Sequence, residues 1–216
     1  AFKLVMALEG ENCDVSSLLD NYSDLLCIGT VGDIVELKSE NRVFVKRGLV
    51  NIQESDRAGI NALIETAGIA GKKITSGNVS FTLVPRINAV GRLGFSGKSV
   101  SLLLTDDENE AMSIAKQLNE DNNERKEIEK NILMKIDEMV KANPHITNDR
   151  VLVIDGEGWH QGVIGIVAAK VKEFFGKPTV VISRDGEEAK GSGRSVEGFS
   201  LCDAVFACSD LLTHCG

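Results

Sequence analysis

The sequence has few of the features that mark several large protein classes. Of its 216 residues, 3 are proline, 3 are histidine, 1 is tryptophan and 1 is tyrosine. No apolar run approaches the ~20 residues of a membrane-spanning helix, and no secretory signal peptide is visible, so no membrane partner is expected. The HExxH motif, a Walker loop and a Ser-His-Asp set are absent too, which argues against zincins, P-loop hydrolases and serine hydrolases.

The five cysteines show no CxxC spacing, and their number is odd. This pattern indicates reduced thiols in the cytoplasm rather than a zinc site or a disulfide framework. Hydrophobic residues make up 43% of the chain and charged residues 26%, which is typical of a globular protein with a sizeable core.

The net charge of −8 would argue against a nucleic-acid partner if it were evenly spread. Residues 106–142 hold 11 acidic and 6 basic residues and so contribute −5 of that charge. The flanking regions are nearly neutral and carry arginines beside glycines. Charge therefore leaves a nucleic-acid partner open.

The first half of the chain has the spacing of short helices, and the segment after it has the spacing of a long one. Short helices are predicted over 2–8, 15–31, 42–53, 57–67 and 77–83, with Asp56 and Gly68 as caps of the fourth. Residues 106–142 are apolar at both ends and polar at the centre. This suits one helix of ~50 Å that bridges two domains and is solvated between them. Two bundled helices with a kink near Asn122 and Asn123 are the alternative.

Residues 150–216 switch to a βαββα pattern. Strands are predicted over 151–154, 179–183 and 189–194, helices over 163–175 and 201–212, and a turn at Asp185 and Gly186. The expected fold class is α/β, with a mainly helical first part, a long connecting helix and a small domain with a mixed sheet. The chain begins inside a helical pattern without a cap, so we expect it to be a segment of a longer protein.

A glycine-rich loop follows the first predicted strand, which is expected to break at Asp155 and Gly156. Trp159 and His160 then stand between glycines, directly before the helix over 163–175. The free N–H groups and the positive dipole end of a helix N-terminus favour an anion. A histidine in such a place is also commonly a cap or a surface residue, and this alternative stays open.

A second glycine-rich segment covers residues 191–195. We predict a turn here, whose successive amides form an anion-binding nest together with Ser192, Arg194 and Ser195. A polar β-turn without a ligand is the alternative. Beside the His160 loop, this segment indicates a phosphate-binding surface.

Two further segments combine polar side chains with apolar surroundings. Arg86 and Arg92 bracket a short apolar turn that also holds Asn88, and rigid guanidinium groups suit bidentate binding of phosphate or carboxylate. A structural role, in which these arginines donate hydrogen bonds to loop carbonyls, explains the pattern equally well. Asp33 directly follows Gly32 in an otherwise apolar run, an expensive place for a carboxylate unless it is paired, hydrogen-bonded or bound to metal. From the residues alone, a helix cap or an ion pair is the simpler interpretation.

The order of these motifs resembles the bacterial RecJ family of single-stranded-DNA-specific exonucleases, in the DHH/DHHA1 phosphoesterase superfamily. In chain order the motifs are GTVGDIVEL, PRINAVGRL, the long polar helix, GWHQGVIGIVA, GSGRS and a terminal HCG. The resemblance implies that residues 1–105 are the C-terminal part of a DHH domain, 106–142 a connecting helix, and 150–216 most of a DHHA1 domain. Asp33 matches the aspartate of the family motif GTxAD, and Gly32 departs from its alanine.

The resemblance also implies chemistry. Enzymes of this family hold two divalent ions, commonly Mn²⁺ and otherwise Mg²⁺, that activate a water against the phosphodiester. Asp33 is therefore expected to be a metal ligand and a catalytic residue. The residues expected to hold DNA phosphates are Arg86, Asn88 and Arg92 on one wall close to the metals, and His160, Ser192, Arg194 and Ser195 on the opposite wall at the 5′ end.

The family's aspartate-rich and Asp-His-His motifs do not occur in this sequence. Because one aspartate cannot assemble a two-metal centre, the chain is expected to be inactive alone, as part of a 5′→3′ exonuclease of DNA repair and recombination. Single-stranded DNA is the implied partner, with single-strand-binding protein as a further one. An oligoribonucleotide or nucleotide phosphatase of the same superfamily and a non-catalytic, single-strand-binding replication scaffold are the alternatives.

Overall fold

The computed structural model describes residues 1–10, 13–94 and 97–215. Helices predominate over these ranges, and a three-stranded sheet lies near the C-terminal end. This confirms the predicted fold class. The chain divides into two compact units, Ala1–Asn123 and Glu124–Gly216. None of the helices in the described ranges combines the length and the apolar character that crossing a bilayer requires.

The elements follow one another in a simple order. The helices are α1 (Phe2–Glu9), α2 (Val15–Gly32), α3 (Ser39–Gln53), α4 (Ala58–Thr66), α5 (Ser76–Asn78), a π-helical turn (Val79–Leu83), α6 (Val84–Leu93), α7 (Gly97–Leu104), α8 (Glu108–Ala142), a 3₁₀ turn (Pro144–Asn148), α9 (Ile164–Phe175), α10 (Leu201–Phe206) and a second 3₁₀ turn (Ser209–Leu211). The strands are β1 (Leu152–Glu157), β2 (Thr179–Asp185) and β3 (Glu188–Arg194).

The first unit encloses an aliphatic core. Fully buried side chains include Ile52, Ile60, Leu63, Leu83 and Leu102. The first four predicted helices are present within a few residues of their predicted ends.

One predicted cap of α4 is wrong. The N-cap of the helix is Arg57, and no side chain forms a capping hydrogen bond, so Asp56 does not cap it. The Arg57 amide donates instead to Ser55 Oγ at 3.1 Å. Gly68, with a φ of +68°, follows the end of α4, which agrees with the predicted stop.

Residues 76–93 are helical throughout, with the π-helical turn in the middle. The Val84 amide donates to the Val79 carbonyl, five residues back, and Pro85 in the first turn of α6 has no N–H to donate. The predicted apolar turn between Arg86 and Arg92 is therefore wrong. Both residues lie on α6, because proline is tolerated in the first turn of a helix and need not end one.

Helix α8 is continuous over 35 residues, or about 52 Å, as predicted, and Pro144 follows its end. One side of it is buried along most of its length. The buried residues are spaced alternately by four and three: Ala111, Ala115, Leu118, Asn122, Arg125, Glu129, Ile132 and Ile136. The apolar members at the two ends belong to the cores of the first and the second unit, respectively.

The polar centre of α8 is therefore not solvated, and that prediction is wrong. Asn122 is completely buried, and Glu129 is 5% exposed. The Arg125 Nη1 donates to Glu129 Oε2 at 2.7 Å, and the Glu129 Oε1 pairs with Lys170 of α9. Burial is tolerable here because the carboxylate is paired at both oxygens.

The sheet of the second unit is mixed, with strand order β1-β2-β3. β1 and β2 are parallel, from Leu152 opposite Thr179 onward, and α9 connects them. β2 and β3 are antiparallel and joined at Gly186, which has a φ of +60°. The helix predicted over 201–212 is shorter in the structure than expected: α10 ends at Phe206.

The predicted break at Asp155 and Gly156 is wrong, because β1 continues to Glu157. Glycine is required in this strand for packing rather than for a turn. A Cβ on Gly156 would lie 2.2 Å from Cε2 of Trp159, whose ring is buried in the core of the second unit.

Candidate nucleic-acid and metal-binding sites

Asp33 lies at the C-terminal end of α2. Its amide donates to the Gly29 carbonyl at 3.0 Å, and its side chain is exposed. The prediction that this carboxylate is buried in an apolar run is wrong, because the helix ends here and the following Ile34 is 86% exposed. The carboxylate forms no hydrogen bond or ion pair with any residue of the described ranges.

Two features of this helix end favour a cation. The last carbonyls and the negative dipole end of α2 lie here, and no basic residue occupies the last turn. Ile34 has a φ of +54°, a left-handed conformation that is costly for a β-branched residue and that gathers at functional sites. Asp33 is thus suited to ligate a metal ion.

One ligand does not complete a metal site. Across residues 1–10, 13–94 and 97–215, no three histidine, cysteine, aspartate or glutamate side chains come close enough together to hold a metal ion. The described residues can therefore supply part of a metal centre, but they do not form a complete one.

Arg86 points its guanidinium toward α8. Its Nε donates to Asn119 Oδ1 at 3.0 Å, and its Nη1 donates to the Thr82 carbonyl in the π-helical turn at 2.6 Å. Burial lowers the pKa of Arg86 from its ordinary value, although an arginine stays charged in a protein. These contacts tie α6 to α8.

Asn88 and Arg92 lie one turn apart on the exposed side of α6, about 6 Å along its axis. With Ile87, Gly91 and Ser99 they line a cleft of about 480 Å³, which we call the α6 cleft. The structure thus brings Asn88 and Arg92 together. It separates Arg86 from Asn88, because residues two apart on a helix face different sides.

His160 lies in the loop between β1 and α9. Its carbonyl accepts from the amides of Val163 at 2.9 Å and Ile164 at 3.2 Å, and its Nδ1 accepts from the Gly162 amide at 3.1 Å. With Nδ1 as the acceptor, the neutral imidazole carries its proton on Nε2, which can donate to an anion. The adjacent Trp159 is 5% exposed and offers no face for base stacking.

Ser192 and Arg194 lie against the first turn of α9. A Cβ on Gly165 would be 2.9 Å from Ser192 Oγ and 3.1 Å from Arg194 Nη2. The Gly165 amide and the Ser192 hydroxyl form no hydrogen bond with a described residue. A free N–H at a helix N-terminus, a hydroxyl and a guanidinium together make an anion-binding arrangement. We call these three residues the Gly165 cluster.

The predicted amide nest at residues 191–195 is wrong. Gly191 to Arg194 belong to β3, which pairs with β2, and successive amides of a strand point in opposite directions. The Ser195 hydroxyl donates to the Phe199 carbonyl and closes the following loop. Its hydrogen is therefore already used, whereas Ser192 and Arg194 remain directed at α9.

Two residues of these sites were not singled out from the sequence. Gly165 did carry a signal, because an isolated glycine within a helical pattern commonly has a packing or functional reason. Asn119 carried none, because its partner Arg86 is 33 positions away in the chain.

Comparisons with known proteins place these sites in a family context. Residues 148–216 match the family described as DHHA1 domain. The whole chain is 37% identical, over 218 residues, to the "Single-stranded-DNA-specific exonuclease RecJ" of Bacillus subtilis (strain 168), of which it covers 27%.

Two crystal structures of RecJ from Thermus thermophilus have a similar fold. RecJ in complex with Mg²⁺ matches 91% of this chain with a TM-score of 0.78 and 33% identity, and the chain covers 30% of it. RecJ in complex with Mn²⁺ also matches 91%, with a TM-score of 0.79 and 35% identity, and the chain covers 28% of it. The chain thus spans less than a third of the length of these relatives.

Proposed function

This chain belongs to the RecJ family, and from that premise we propose that it is part of a 5′→3′ single-stranded-DNA exonuclease of DNA repair and recombination. In this proposal the chain binds the phosphates of a single strand and supplies one ligand to a metal centre. Residues 1–105 correspond to the C-terminal part of a DHH domain, 106–142 to a connecting helix and 150–216 to a DHHA1 domain.

The Gly165 cluster is the observation that carries this proposal. An unbonded helix amide and an unbonded hydroxyl stand beside Arg194, and each can reach a different oxygen of one phosphate group. Such contacts read no base, as a sequence-independent exonuclease requires. We propose that this cluster holds the 5′-terminal phosphate, with His160 Nε2–H as a further donor. Ser195 is proposed to border the phosphate through the loop that its hydroxyl closes on Phe199.

Asp33 is the proposed metal ligand and catalytic residue in the first unit. Bound Mn²⁺ or Mg²⁺ would supply an activated water and positive charge at the phosphodiester. The contribution of this chain is to place an unpaired carboxylate at the negative end of α2, where a cation is favoured. Asn88 and Arg92 of the α6 cleft are proposed to hold the strand, with Arg86 as their support.

A phosphatase of the same superfamily is the weaker candidate. The identity to RecJ runs through the whole chain, including the 35-residue α8. We take that as support for the exonuclease.

Substitution of Asp33 tests the proposed activity. In a RecJ-type protein that contains this segment, Asp33→Ala should reduce Mn²⁺-dependent hydrolysis to background, because an alanine cannot ligate the ion. Hydrolysis is followed on single strands labelled at the 5′ or the 3′ end, and the unsubstituted protein should release the 5′ label first.

Asp106→Ala is the matched control, since Asp106 is also exposed and its carboxylate has no hydrogen-bond or ion-pair partner among the described residues. It should retain full hydrolysis. Undiminished turnover in Asp33→Ala would limit Asp33 to a structural role, and release from the 3′ end would reverse the proposed polarity.

Two further expectations belong to the same proposal. Single-strand-binding protein is a proposed partner, because it occupies the same strand, and co-sedimentation of the two purified proteins without DNA tests it. The cytoplasm is the proposed location, supported by five free cysteines, and cell fractionation checks it.

A further inference from the structure

The segment that joins α2 to α3, residues 33–38, combines backbone strain with exposed apolar side chains. We call it the α2–α3 connector. Ile34 has a φ of +54°, a left-handed conformation that is costly for a β-branched residue. Its side chain is 86% exposed, and Val35 and Leu37 are exposed too. A glycine at position 34 would remove the strain, so neither backbone geometry nor packing within the described ranges favours an isoleucine there.

The start of the connector is held in place by its surroundings. The Val35 amide donates to the Thr30 carbonyl at 3.1 Å, back into the last turn of α2. A Cβ on Gly32 would lie 3.0 Å from Cγ2 of the buried Val84, so the end of α2 packs closely on α6. These contacts impose the strained backbone at Ile34, and they present its side chain in a fixed place directly after Asp33.

The position of Ile34 beside Asp33 indicates what covers it. Asp33 is the proposed metal ligand, and the described ranges do not bring the further ligands of a complete centre together with it. RecJ relatives, of which the chain spans less than a third, contain further sequence that can supply them. Because oxygen ligands lie ~2 Å from Mg²⁺, side chains that share one ion with Asp33 lie within about 4 Å of its carboxylate. Consecutive Cα atoms are ~3.8 Å apart, so a segment that brings these ligands also reaches Ile34.

From this arrangement we propose that the α2–α3 connector docks against the part of a RecJ-type protein that supplies the remaining metal ligands, with Ile34 in an apolar pocket of that part. Burial of the side chain on docking then offsets the strain at Ile34. It also holds the Asp33 carboxylate where the other ligands meet it, so Ile34 is a positioning residue. The inference rests on the proposed function and deepens it, because it names the surface that assembles the metal centre.

Ile34→Gly tests the docking through opposite effects in two proteins. In the 216-residue chain it should raise the thermal unfolding midpoint by about 2–4 °C, because glycine adopts a positive φ without strain. In a RecJ-type protein that contains this segment it should lower the midpoint by at least as much, because a buried apolar side chain is lost. Differential scanning calorimetry without added metal gives both midpoints.

Ser39→Gly is the matched control for the relief of strain. Ser39 also has a positive φ, of +49°, and is exposed, but it carries no apolar side chain. Ser39→Gly should therefore raise the midpoint in both proteins. Ile34→Val keeps an apolar β-branched side chain and should leave the midpoint of the larger protein close to that of the unsubstituted protein.

Affinity for Mn²⁺ separates the positioning of Asp33 from stability alone. In the larger protein, isothermal titration should show about tenfold weaker Mn²⁺ binding in Ile34→Gly, as expected when a residue that supports a ligand is lost. Ile34→Val and Ser39→Gly should bind Mn²⁺ nearly as the unsubstituted protein does. A midpoint that rises in both proteins on Ile34→Gly would overturn the inference, while loss of hydrolysis in Asp33→Ala would leave the proposed function standing. Hydrolysis that persists in Asp33→Ala would remove the proposed role of Asp33, and this inference with it.

Discussion

Gly165 shows how a single missing side chain shapes a binding site. The Ser192 hydroxyl and the Arg194 guanidinium occupy the space that a Cβ on this residue would need. The absence of the side chain also leaves the helix amide open to a ligand. Local sequence pattern indicates the helix, but the approach of β3 to α9 comes from strand pairing, which no local pattern specifies.

Gly165→Ala should therefore separate binding from stability. Alanine is favoured over glycine in a helix by ~1 kcal/mol, so the free energy of unfolding should not fall by more than a few tenths. The new methyl group pushes Ser192 and Arg194 aside, and affinity for a 5′-phosphorylated single strand should drop about five- to tenfold. Urea unfolding and anisotropy measure the two effects.

Gly29→Ala is the matched control for this substitution. Gly29 is an exposed glycine within α2, with no described atom within 4 Å of a Cβ. It should gain the same helix propensity and keep its affinity for the phosphorylated strand. An unchanged affinity of Gly165→Ala would mean that phosphate does not bind against α9.

At the scale of elements, α6 is held by contacts that are distant in sequence. Arg86 joins the π-helical turn, through the Thr82 carbonyl, to Asn119 of α8. Asn88 and Arg92 then project from the opposite, exposed side. The sequence motif PRINAVGRL shows which residue types are present. The helical geometry of α6 determines which of their side chains can face one ligand together.

Arg86→Ala should therefore cost stability as well as binding. Removing two hydrogen bonds from a partly buried guanidinium is expected to lower the free energy of unfolding by about 1–3 kcal/mol. Arg42→Ala, at an exposed arginine of α3, should change it by less than ~0.5 kcal/mol. Urea unfolding gives both values. Full stability in Arg86→Ala would show that the side chain serves the ligand alone.

The length of helix α8 follows from the sequence, whereas the burial of its polar centre does not. The length and end of the helix were predictable, because helical spacing continues from residue 106 to Pro144. The polar composition of its centre predicts a solvated helix, although the alternating spacing of four and three runs on through Asn122, Arg125 and Glu129. The partner Lys170, 41 positions after Glu129, could not be read from local pattern.

At the scale of the whole molecule, each compact unit carries its own candidate binding group. The first unit has Asp33 and the α6 cleft, and the second has the Gly165 cluster. Residues 106–142, which include α8, contribute −5 of the net charge of −8. Binding should therefore depend on a few local phosphate contacts, with a slope of log affinity against log salt near −1.4 if two phosphates are held.

The most direct test of this account is the affinity of the 216-residue chain for three labelled DNAs of one sequence. These are a 5′-phosphorylated single strand, a 5′-hydroxyl single strand and a duplex, compared by fluorescence anisotropy at one low salt concentration. The phosphorylated single strand should bind about tenfold more tightly than the other two, and Arg194→Ala should remove this preference while the fold is kept. Equal affinity for all three DNAs would contradict it.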